Sequence, residues 1–151
     1  GLVGSEMCIR DRPENMVITI HMCRGNSRSS WIAEGGYEPV AEDMFASVPV
    51  DGFFMEWDTD RAGDFEPLRF APQDKIIVLG LISSKVGDLE TQDDLKRRID
   101  EASKYVPIEN MCISPQCGFA STVEGNILSE EDQWRKLELV VKVAEEIWGS
   151  T

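Results

Sequence analysis

The sequence predicts an α/β fold built on parallel strands, and three observations lead there. Short apolar, β-branched runs alternate with amphipathic helical patterns four times along the chain. The strand starts fall near residues 16, 50, 76 and 110, a spacing of about thirty residues, as βα units have. The run Ile76-Ile77-Val78-Leu79-Gly80-Leu81-Ile82 is apolar without alternation, as a strand buried on both faces of a parallel sheet requires. The units share no sequence similarity, so the repetition is architectural only.

Taken in order, Met16 to Cys23 reads as the first strand and Arg24 to Tyr37 as a polar loop containing Gly25, Gly35 and Gly36. Pro39 to Ser47 has a helical pattern with Val40, Met44 and Phe45 on one face. Val50 to Trp57 is the second strand, and Asp58 to Pro67 a second polar loop leading into a short turn or helix. Lys75 to Ser83 is the third strand. Thr91, with Asp94 three residues on, has the form of a capping box, opening a helix with Leu95, Ile99, Ala102 and Val106 at helical spacing. Asn110 to Cys117 is the fourth strand. Ser129 caps the last helix, whose Leu137, Val140, Val141, Ala144, Ile147 and Trp148 form a broad apolar stripe ending at Gly149.

Two architectures fit this order, a doubly wound open sheet and a (β/α)8 barrel. A full barrel needs about 250 residues. Four units would be half of one, with the missing half N-terminal, and such a half leaves two sheet edges and one helix layer exposed. Residues 1–12, from Gly1 to Arg12, show neither period and resemble a translated sequencing adapter. They are set aside from the fold, which is expected over 13–151, and Cys8 is given no role.

Composition narrows the function. The 151 residues carry a formal net charge of −13, which would repel nucleic acid and anionic membranes. No apolar run approaches the roughly 20 residues of a membrane span. The four cysteines, Cys8, Cys23, Cys112 and Cys117, come without a secretory signal, so reduced thiols or metal ligands in a cytoplasmic protein are expected. There is no phosphate-binding glycine loop, no Ser-His-Asp order and no flavin signature.

What stands out is a shared position. His21, Cys23, Glu56 and Cys117 each close a predicted strand, and the C-terminal strand ends form the functional face of parallel βα folds. Imidazole, two thiolates and a carboxylate are a ligand mix suited to Zn2+, and the sulfurs select it over magnesium or calcium. His21 is the only histidine, and it lies beside a cysteine at a strand end. The same residues have plainer readings. His21 can be a hydrogen-bonded core histidine, the cysteines can be small buried hydrophobes, and Glu56 can pair with Arg24 or Arg61. Cys112, an odd number of residues from Cys117, is expected in the core on the opposite strand face. Trp31, Phe53, Phe54 and Trp134 read as packing. Asp58, Asp60, Arg61 and Asp64 either line a site or are solvated.

His21-x-Cys23, the strand-ending Glu56 and Ser114-Pro115-Gln116-Cys117-Gly118 resemble the zinc motifs of the cobalamin-independent methionine synthase family, in its C-terminal catalytic barrel. This is the 5-methyltetrahydropteroyltriglutamate–homocysteine S-methyltransferase family. The likeness runs from about Met16 to Trp148. The stretches His21 to Asn26, Gly36 to Glu42, Gly63 to Leu68 and Gln116 to Ala120 are similar to its single-barrel branch. The resemblance implies the C-terminal half of a TIM barrel, with His21, Cys23, Glu56 and Cys117 as the four zinc ligands. It implies methionine biosynthesis by methyl transfer from a folate N5 to the thiol of homocysteine. Zinc would ionise the acceptor thiol, which would displace Glu56, the catalytic ligand that gives way, and attack the methyl carbon.

Arg24, Asn26, Ser83, Ser84 and Lys85 are the candidate substrate contacts, Lys85 toward an anionic polyglutamate tail. The family carries a His-Ser pair after its third strand here, where this chain reads Ser83-Ser84-Lys85. That departure leaves room for a related zinc alkyltransferase with another donor (methylcobalamin or an S-methyl compound) or another thiol such as coenzyme M. A structural zinc domain is the alternative of another class. The partners expected are the small-molecule thiol, the methyl donor and the missing N-terminal half of the barrel, without which the fragment should be inactive.

Overall fold

The structure, a computed structural model, describes residues 9–120 and 122–149. Cys8, with the rest of residues 1–8 of the adapter-like stretch, lies outside the described residues. Of that stretch, Ile9 packs partly against the core, and Arg12 donates to the Pro49 carbonyl at 3.1 Å and to Asp51 at 2.7 Å.

Four parallel strands make the main sheet in the order β1 (Thr19–Met22), β4 (Gly52–Glu56), β5 (Ile76–Ile82), β6 (Met111–Pro115). Helices α1 (Ala41–Ser47) and α2 (Gln92–Ala102) lie between strands in the chain, and α3 (Glu130–Trp148) follows the last strand. The strand-and-helix order expected from the sequence is therefore present, with strands shorter at their ends. The polar loop after β1 is not wholly irregular. It folds back as a small antiparallel pair, β2 (Asn26–Ser27) and β3 (Ser30–Trp31), through a turn in which Arg28 and Ser29 take φ of 48° and 65°. The second polar loop contains two 3-10 turns, Asp60–Ala62 and Glu66–Phe70. No helix among the described residues is long and apolar enough to cross a membrane.

Strand register separates the two faces of the sheet. Ile20, Phe53, Ile77 and Met111 lie in one row and Met22, Met55, Leu79 and Ile113 in another, and both rows belong to the core. The alternate rows face the other way: His21, Phe54, Val78 and Cys112, then Glu56, Gly80 and Ser114. On that face Phe54 is 37% exposed and Cys112 is exposed.

Cys112 is therefore not a core residue. Met111 and Ile113 take the buried positions, and a register irregularity at Gly80/Ile82 breaks the alternation that the count from Cys117 relies on. Of the aromatics expected to pack, Phe53 is buried, whereas Trp31, Phe54 and Trp134 are exposed.

Gly80 marks a close approach. A Cβ there would stand 2.8 Å from the Met55 carbonyl oxygen and 3.1 Å from Gln116 Cα, so only glycine lets the chain after β6 draw in.

The helices sort their faces with two surprises. In α2, Leu95, Ile99 and Ala102 are buried as expected; Thr91 Oγ1 accepts the Asp94 N–H at 3.2 Å, one half of the expected capping box, and Val106 is buried beyond the end of the helix. In α1 the buried face is Ala41, Met44 and Phe45; Val40 precedes the helix and is exposed. In α3, capped by a reciprocal Ser129–Asp132 box, the buried residues are Lys136, Leu139 and Val143. The expected stripe is only partly covered: Val140, Ala144, Ile147 and Trp148 pack at the margin and Val141 is exposed. Lys136 is buried because its Nζ donates to the Asp88 carbonyl at 2.5 Å and to Glu90 at 3.0 Å, partners that only the tertiary fold supplies.

Candidate metal centre

Three of the four expected ligands converge. His21 sits on β1, Cys23 one residue past it and Cys117 two residues past β6, so all three lie at the C-terminal end of the sheet. Their ligand atoms lie within 4.8 Å of one another, with His21 Nε2 and Cys117 Sγ 3.3 Å apart. His21 and Cys23 are exposed, and Cys117 is half-buried. They line a cavity of about 620 Å³ with Asn26, Ile32 and Phe54. Burial pushes the Cys117 thiol up to about 12, and the neighbouring Cys23 sulfur adds to the shift. Two sulfurs and an imidazole at this separation suit a soft divalent cation, whose charge would reverse that penalty.

Glu56 ends β4 but is not a member of that group. Its side chain is fully buried and ion-paired with the equally buried Arg61. Its second oxygen accepts the Arg24 N–H at 3.1 Å and the Gln116 amide at 3.0 Å. Burial alone would raise this carboxyl, but the bonds from Arg61 and Arg24 outweigh it and hold it below the ordinary carboxylate value. The plainer reading of Glu56, as a partner of Arg61, thus describes its placement here.

Arg61 does more than pair. It donates to the Gly25 and Ala33 carbonyls, each at 3.2 Å, and to Asn26 Oδ1 at 2.9 Å, fastening the β2–β3 turn over the site. Its guanidinium lies 5.2 Å from the Trp31 ring centroid.

The candidate substrate contacts fall into two groups. Arg24 stacks 3.8 Å from the Tyr37 ring centroid and donates to the Gly35 carbonyl at 2.8 Å. Asn26, Ser83, Ser84 and Lys85 are buried. Lys85 donates to Asp58 at 2.5 Å, so an anion reaching it must displace that carboxylate. Arg61 and the Asp58 carboxylate are consequently not solvated loop charges; both side chains are fully buried.

Two further residues, Tyr37 and Gln116, shape the site. Tyr37 Oη donates to the Met22 carbonyl at 3.0 Å and accepts the Glu56 N–H at 2.7 Å, so one hydroxyl ties together the ends of β1 and β4. Burial pushes this phenol up to about 12, which keeps it protonated as that donor. Gln116, beside Cys117, donates to its sulfur at 2.8 Å. The signal for Gln116 was its place immediately before a ligand; Tyr37 carried none.

No protein-family model matches the chain. A crystal structure from Listeria monocytogenes, provisionally named a vitamin-B12-independent methionine synthase, is 42% identical with a TM-score of 0.70. The chain is similar to a methionine synthase-like protein. That match covers 94% of this chain and 38% of the Listeria one. A B12-independent methionine synthase from Shewanella sp. W3-18-1, in complex with selenomethionine, has the same fold at 19% identity, with a TM-score of 0.75, over 99% of this chain and 43% of its own. Two proteins of Bacillus subtilis (strain 168), YxjG and YxjH, both described as uncharacterized, are each 54% identical over 141 residues. The chain spans 37% of the length of each of these two relatives. The methionine synthase likeness thus extends over nearly all of this chain and under half of the matched proteins.

Proposed function

We propose that the chain is the metal-binding part of a zinc-dependent S-methyltransferase that moves a methyl group from 5-methyltetrahydrofolate to the thiol of homocysteine, giving methionine. The observation that carries this reading is the meeting of His21, Cys23 and Cys117 within 4.8 Å at the C-terminal end of a parallel sheet. Zinc held by these three would supply the Lewis acidity that keeps an acceptor thiol ionised near neutral pH. The chain's own residues do the rest of the work. Arg61 and Gln116 hold the Glu56 carboxylate, the oxygen donor that the resemblance adds, beside the three donors. The β2–β3 turn, pinned by Arg61, walls one side of the cavity with Asn26 and Ile32. The incoming thiol would take the place of Glu56, the weakest of the four donors, which is what separates the catalytic reading from a closed structural site.

The four-stranded sheet is, on this reading, the C-terminal half of a (β/α)8 barrel. Its exposed Phe54 and Cys112 face what would be the interior, and its edge strands β1 and β6 would meet the N-terminal half. A different methyl donor is the second reading. It is favoured by Ser83-Ser84-Lys85, where Lys85 is committed to Asp58 and no imidazole is present to handle a proton.

Metal analysis of the full-length protein tests the first claim: about one zinc per chain, lost in Cys117→Ser. X-ray absorption at the zinc edge, with and without homocysteine, then reads whether the sulfur count rises. Methionine formation from methyltetrahydrofolate tests the donor. Zinc without turnover of any folate donor moves the assignment to the second reading, and a metal-free protein ends both.

A further inference from the structure

The structure assigns Gln116 as the positioning residue of the centre: one buried side-chain amide, fixed from behind, aims its N–H groups at both the Cys117 sulfur and the Glu56 carboxylate. This inference rests on the metal-centre reading above.

An amide can face either way, and here its surroundings decide. Gln116 is 2% exposed. Its Oε1 accepts from Lys85 Nζ at 3.2 Å, Ser84 Oγ at 3.2 Å and Asn26 Nδ2 at 3.3 Å, all donors. Its Nε2 donates to Glu56 Oε2 at 3.0 Å and Cys117 Sγ at 2.8 Å, both acceptors. Reversing the amide would set an oxygen against a carboxylate and a sulfur, and an NH2 against an ammonium. The group is held in turn: Lys85 by Asp58 at 2.5 Å, Asn26 by Arg61 at 2.9 Å, and the Ser84 carbonyl by Asn126 Nδ2 at 2.7 Å. Three donors from two chain segments therefore converge on one oxygen whose partner nitrogen touches the site.

The effect on the centre follows from elementary chemistry. An N–H donated to a thiolate draws off electron density and fixes the direction of its lone pairs. Groups that orient metal ligands in this way typically change metal affinity by about 10- to 100-fold when removed. The same amide spaces Glu56 from Cys117, so the oxygen and sulfur donors cannot drift independently.

Cobalt(II) is the probe, because its sulfur-to-metal charge-transfer band reports hydrogen bonding at the sulfur, which loss of folding alone does not imitate. In the full-length protein, Gln116→Met keeps the length of the side chain and removes both halves of the amide. Gln116→Glu keeps an acceptor for Lys85, Ser84 and Asn26 and puts a carboxylate oxygen in place of the donors, facing Glu56 and Cys117. Gln116→Met should bind cobalt about 10- to 100-fold more weakly, and in both variants the charge-transfer band should move to lower energy. Should Gln116→Met fail to fold by circular dichroism, Gln116→Glu decides alone. Wild-type affinity and an unmoved band in a folded variant overturn the role of Gln116 while leaving the metal centre standing. A wild-type protein with no sulfur-to-cobalt band overturns the metal centre itself, and this inference with it.

Discussion

Arg61 and Glu56 are buried together, and at the scale of single residues neither tolerates the loss of the other. Replacing Arg61 by Met leaves a buried carboxylate with only the Arg24 N–H and Gln116 amide to hold it. The expected cost is about 3–5 kcal/mol, read from urea unfolding. The pair also sets a pH dependence. Glu56 is depressed in the folded state, the net of burial raising it and Arg61 and Arg24 lowering it. A group whose folded pKa lies below its unfolded one stabilises the fold above the unfolded value and loses that contribution as pH falls through the folded value. Stability measured from neutral pH downward should therefore fall less steeply in Glu56→Gln than in the wild type.

At the scale of the element, α3 separates two apolar stripes that look alike in one dimension. Leu139 is 6% exposed and Val141 45%. Leu139→Ala should cost about 2–5 kcal/mol, whereas Val141→Ala should stay within about 0.5 kcal/mol. Ser129→Ala, which removes the cap from the Asp132 N–H, should cost about 1 kcal/mol. Thermal unfolding of the three variants orders them. The cap was legible because its signal is local, a Ser with an acid three residues on. The buried stripe was not. Which face a long amphipathic helix turns inward depends on the sheet it meets, and Lys136 joins that face only because Glu90 and the Asp88 carbonyl await it. The strands were legible for the opposite reason: β5 is apolar throughout, so no choice of face arises until Ile76, the residue left 37% exposed at its start.

At the scale of the whole molecule, parallel topology does what spacing in the sequence cannot. His21 and Cys117 are separated by 96 positions and end 3.3 Å apart because both lie at the C-terminal ends of strands that run the same way. That convergence could be foreseen from strand ends alone. The polar network beneath it could not, since Gln116 gathers partners from Asn26, Glu56, Ser84 and Lys85, and no local pattern marks which buried amide will be the hub. Gly80→Ala tests how far this assembly tolerates pressure. A methyl 2.8 Å from the Met55 carbonyl and 3.1 Å from Gln116 Cα must displace the chain that carries Cys117. Weaker cobalt uptake, together with a lower melting temperature, is the expected pair of readouts.

The two outer strands carry a last implication. β1 and β6 run in the same direction, and no other strand pairs with their outer sides among the described residues. The free rim of one copy therefore matches the opposite rim of the next, and two half-barrels paired at both seams would close at eight strands. Preparations of this stretch by itself should pair as they are concentrated, visible as a scattering mass that rises toward twice that of the chain, and salt should favour it by screening the mutual repulsion of a chain at −13.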